Sequence, residues 1–142
     1  MHIPAQANGT IFPARFVSFD PTAGGVGDNK VIETAAATLP VVGVSQLGTD
    51  FPPINDPHVT LNNVAAIKGE QLDVFGVGEI CAIELAEAVK AGDLLKAGSA
   101  NGKAVKAPTD GTVSTKQFVG GFAMQSGAPG EKIKMVVHPM VV

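Results

Sequence analysis

Tryptophan and tyrosine are absent from this 142-residue sequence, and phenylalanine occurs only seven times. A core must therefore be assembled from Val, Ile, Leu and Ala, whose small side chains fill thin layers. Cysteine occurs once, at Cys81, which excludes an internal disulfide and fits synthesis in a reducing compartment. Charged residues make up only 16% of the chain and leave a net charge of −3. No run of Lys or Arg supplies the phosphate-neutralising surface that direct nucleic-acid binding requires. No window holds 18 consecutive apolar residues, and MHIPAQANGT at the start lacks a basic segment followed by an apolar one. Neither membrane insertion nor export is expected.

What is present is apolar and turn-rich. Hydrophobic residues reach 45%, with 17 Gly and 10 Pro dividing them into short pieces. A mean hydropathy of +0.25 leaves few charges to cover a monomer, which implies buried subunit contacts and hence a homo-oligomer. A chain of this length buries roughly 70% of its unfolded surface as one domain.

The apolar pieces alternate over 4 to 8 residues, the period and length of strands. They predict an all-β sandwich or barrel with strands at 14–19, 30–35, 41–45, 59–67, 71–75, 80–85, 93–97, 103–107, 118–124 and 132–137. The helix-forming run 85–90 predicts one helical turn. Asn101-Gly102, between Leu94-Leu95 and Ala104-Val105, predicts a hairpin turn.

The two halves read alike. RFVSFD, NKVIETA, VVGVS and GEQLDVF in the first recur as GDLLKAG, GKAVKAP, VGGFA and GEKIKMVV in the second, so two similar four-strand units are expected. The first half adds TDFPPINDPH at 49–58, whose prolines suit a surface loop better than a central strand. Residues 1–13 have no recognisable counterpart and are read as an extended N-terminal arm preceding a single β domain at 14–142. The halves differ in charge: residues 1–75 carry three basic and seven acidic side chains, residues 76–142 seven and six.

Chemistry-bearing motifs are sparse. His2, His58 and His138 are scattered without a local ligand pair, so no metal site is expected. GSANGK at 98–103 is one residue short of a phosphate loop and lacks its hydroxyl. No serine sits in a nucleophile elbow. Cys81, in an apolar stretch, reads as a buried hydrophobe. No catalytic residue and no cofactor are predicted. The run GDLLKAGSANGKAVKAPTDGTV at 92–113 resembles part of a lipoyl or biotinyl carrier, which would make Lys103 the attachment site. It departs from that pattern in having Gly102 before the lysine and no Met-Lys-Met.

A broader resemblance covers most of the chain. AGDLL at 91–95, GKAV at 102–105, FVGGFAM at 118–124 and GEKIKMVV at 130–137, preceded by RFVSFD and LPVVGVS, are similar to the tailed-phage capsid decoration (cement) family. That resemblance implies a non-enzymatic virion protein, made in the host cytoplasm. It would bind the major capsid protein on the outer surface as a homotrimer and stabilise the shell. Another virion β module, in a fibre or baseplate, is the alternative. On this reading the arm and the Pro-rich loop are the contact segments, with Ile3, Ile11, Phe12, Phe51 and Ile54 as candidate interface anchors.

Overall fold

The computed structural model describes residues 2–20, 30–34, 39–45, 66, 69–98, 102–107 and 117–141. They form ten strands: β1 (His2–Ala7), β2 (Phe16–Phe19), β3 (Lys30–Glu33), β4 (Gly43–Ser45), β5 (Gln71–Phe75), β6 (Ile80–Glu84), β7 (Leu94–Ala97), β8 (Ala104–Lys106), β9 (Phe118–Ala123) and β10 (Lys132–Val141). The all-β expectation holds. The first five strands close into a barrel in the order β1-β3-β2-β4-β5, and the last five form a sheet in the order β6-β10-β9-β7-β8.

These orders describe one topology used twice. In each unit the last strand pairs antiparallel with the first and fourth, and the second strand lies between the third and the fourth. In the first unit β1 meets β3 in parallel at Gln6–Lys30 and Ala7–Val31, which closes the barrel. In the second unit the corresponding contact is a single parallel bridge, Leu85–Ala104.

The correspondence extends to single hydrogen bonds. The Ala7 and Leu85 amides donate to Glu70 and Glu131 carbonyls, the Ile11 and Val89 amides to Ala66 and Gly127, and the Ala14 and Gly92 amides to Ser45 and Ala123. Buried side chains follow the same register. Ala5, Ala7, Ile11, Val17, Val31, Leu72 and Val74, which fill the first unit, stand where Ile83, Leu85, Val89, Leu95, Ala104, Ile133 and Met135 fill the second. Where the first core is thin in β1, the second is thick in β6.

Two expectations are corrected. Residues 2–7 are not an arm but strand β1, the counterpart of β6, so each unit has five strands rather than four. Pro4 is tolerated because Ala7 turns its amide toward β5, and alternation then turns Pro4's nitrogen the other way. The run 85–90 forms no helical turn, because Leu85 and Val89 both enter sheet-type bridges and are buried. The expected β7–β8 hairpin is present, with Gly102 at φ +77° and the Gly98 N–H donating to the Lys103 carbonyl, while Asn101 lies outside the described residues.

The repeat departs from itself in the length of chain that follows the fourth strand of each unit. Twenty residues (46–65) separate β4 from Ala66 in the first unit, against three (124–126) before Gly127 in the second. The Pro-rich 49–58 segment and most of the expected strand 59–67 lie in this insertion, outside the described residues.

Candidate functional site

The two units meet along a seam built by residues 12–16, just ahead of β2. The Phe16 amide donates to the Gly102 carbonyl and the Glu84 amide to the Ala14 carbonyl, so main chain of one unit bonds to main chain of the other. Phe16 and Val44 are fully buried in the second unit's core cluster, and Phe75 packs against it. Glycine makes this possible: a Cβ at Gly120 would lie 2.2 Å from the Phe16 ring, and one at Gly102 2.5 Å from the Phe16 carbonyl oxygen.

Charges close the seam's edge. Arg15 lies 3.3 Å from Glu84 and 3.6 Å from Glu33, Lys103 lies 3.2 Å from Glu84, and the Arg15 guanidinium sits 5.2 Å from the centroid of the Phe12 ring. The Phe12 amide donates to Glu33. Burial raises the Glu33 pKa, against lowering by the Phe12 hydrogen bond and by Arg15; Glu84 raises it further and Lys103 lowers it. Two cations facing two carboxylates form a structural clamp.

Lys103 therefore has a partner within the fold, and only 34% of its side chain is exposed. A carrier lysine must project freely for its cofactor to swing, and this geometry opposes that. Cys81 is buried, and burial first, then the Glu79 charge, pushes its thiol up to about 12, which keeps it protonated and unreactive. Among the described residues no group of three His, Cys, Asp or Glu side chains is placed to hold a metal ion, and no helix is long and apolar enough to cross a membrane.

The sequence-predicted anchors scatter. Ile11 is fully buried in the first core, bridged to Ala66, and cannot face a partner; its spacing in a supposed arm concealed that it follows a core strand. Ile3 is half-buried against the same core. Phe12 is exposed, beside Arg15. Phe51 and Ile54 lie outside the described residues.

Two apolar surfaces escaped the sequence reading. One is an open cleft of about 250 Å³ between the units, lined by Pro40 and Val41 on one side and Phe118, Val119, Pro139, Met140 and Val141 on the other. The other is a row across the outer face of the second sheet. Ile80 pairs with Val136, Val136 with Phe122, and Phe122 with Leu94, giving four apolar side chains abreast on β6, β10, β9 and β7. Ile80 is 56% exposed, and Met124 beside the row is exposed too. Only pairing register reveals the row, since its members are distant in sequence.

No family model matches the chain. No curated protein matches it either. Among solved structures, the head fiber gp8.5 N base of bacteriophage phi29 has a similar fold. The two share 17% identity with a TM-score of 0.57, over 97% of this chain and 93% of that one. That likeness shows a shared fold.

Proposed function

We propose that this chain is a non-enzymatic structural protein of a tailed-phage virion, seated as a trimer on the outer surface of the head against the major capsid protein. The observation that carries this reading is the end-to-end likeness to the base of a phage head fiber, which includes both units rather than one common barrel. The sequence resemblance to capsid decoration proteins points to the same particle by a separate route. The chemistry agrees: the described charged cluster serves the seam, the one thiol is protonated, and the remaining notable surfaces are apolar. Cyclic symmetry presents one surface to several capsid subunits at once, and weak contacts then add through effective concentration.

The name of the phi29 neighbour favours a second reading, in which the fold serves as a fibre base rather than as shell cement. The two share a seat on the head and differ in copy number. Mixing purified protein with heads lacking it, sedimenting them and measuring bound protein against concentration tests both. Saturable binding at many copies per head is the expected result for cement, and saturation at a few copies assigns the fibre-base role. Protein left in the supernatant at all concentrations would overturn the shared seat.

A further inference from the structure

Resting on the trimer reading above, we infer that the outer row Leu94–Phe122–Val136–Ile80 of the second unit docks on the first unit of a second copy of this chain, repeating between copies the contact that joins the two units within one.

The internal repeat identifies the occupant. In the first unit the row at the same register is Phe16–Val44–Phe75, and it is covered by the second unit: Phe16 and Val44 are fully buried there. The same face in the second unit is apolar at all four positions, Ile80 standing where the first unit has His2, yet Ile80 remains 56% exposed and Phe122, Val136 and Leu94 only half-buried. A face whose counterpart is buried by a unit of this fold is shaped for another unit of this fold.

Residue sizes fit the joint on both sides. Within the chain Phe16 lies over Gly120. At the matching positions Leu94 stands for Phe16, and Val42 on the first unit, also half-buried, stands for Gly120. As the knob shrinks from Phe to Leu, the socket fills from Gly to Val. Charge favours the same pairing, because Lys132 and Lys134 flank the row along β10 and are exposed, while residues 1–75 carry the chain's acidic excess.

The contact is heterologous, one face meeting a different one, so it closes into a ring if the rotation allows. Three copies then place six similar units around one axis, with covalent and non-covalent joints alternating.

Two experiments decide this. Sedimentation velocity should show wild-type protein as three chains and Ile80→Lys as one, with unchanged circular dichroism, since residue 80 is exposed in the single chain. In the double variant Val42→Cys/Leu94→Cys, mild oxidation should give a covalent trimer on non-reducing gels, and neither single variant should. A folded Ile80→Lys protein that stays trimeric, a double variant without intermolecular cross-links, or a wild-type protein that is monomeric at every concentration overturns the inference. A trimer joined through this row that fails to bind heads overturns the virion reading and leaves the inference standing.

Discussion

The ring of Phe16 occupies the space that a side chain at Gly120 would need, the nearest ring carbon lying 2.2 Å from the position of an added Cβ. This contact joins the outer face of one unit to the sheet of the other. Gly120→Ala should therefore destabilise the protein by about 1–3 kcal/mol, the usual penalty for overpacking a rigid site. Gly9→Ala, where an added Cβ meets nothing within 4 Å, should stay within about 0.5 kcal/mol of wild type. Urea denaturation of the two variants measures the difference, and equal stabilities would show that the Phe16 ring is free to move aside.

Gly102 and Gly98 bracket the β7–β8 loop but tolerate substitution differently. Gly102 has φ +77°, and its Cβ would lie 2.5 Å from the Phe16 carbonyl oxygen, whereas a Cβ at Gly98 would meet the Val105 side chain at 2.9 Å and backbone only at 3.5 Å, at the Lys103 carbonyl oxygen. Gly102→Val is expected to cost about 2–4 kcal/mol, combining left-handed strain for a β-branched residue with a backbone clash. Gly98→Val should cost about 1 kcal/mol, mostly by crowding Val105. Thermal midpoints order the two.

Much of this was legible in sequence, and the failures share a cause. Strands β5 and β10 announce themselves because bulky residues such as Leu72, Val74, Ile133 and Met135 alternate with polar ones. Strand β1 obeys the same alternation, but its inward residues are Ile3, Ala5 and Ala7, and Pro4 interrupts the pattern. Alanine on a core face looks like alanine in a loop, which conceals β1, the first strand of the first unit, and with it the full repeat. Ile11 misleads for the same reason: after a short run of small residues a solitary large one resembles an anchor, whereas its counterpart Val89 follows a strand of bulky residues. The seam and the outer row depend on register between distant strands, which composition and spacing do not encode.

Glu33 gives the seam a pH dependence of defined sign. Its pKa is raised above 4.5, chiefly by burial, so the folded protein binds its proton more tightly than the unfolded chain does. This group's contribution to stability therefore falls as pH rises from 4.5 through the folded pKa. Wild type should gain stability relative to Glu33→Gln as pH is lowered from 7 toward 4.5. Denaturant titrations at several pH values check this, and a difference independent of pH would contradict the assignment.

Cys81, with its thiol at about 12, should react slowly with a disulfide reagent at pH 8 in the folded protein and at the rate of a free thiol in urea. Labelling followed by absorbance provides the comparison. Rapid labelling without denaturant would mean that β6 opens readily.

The most direct test of the account is cryo-electron microscopy of virions that carry this protein. The expected reconstruction shows trimers of the two-unit fold on the outer surface of the head, each contacting the major capsid protein, with six β units around each trimer axis. Density inside the shell or confined to the tail would contradict it.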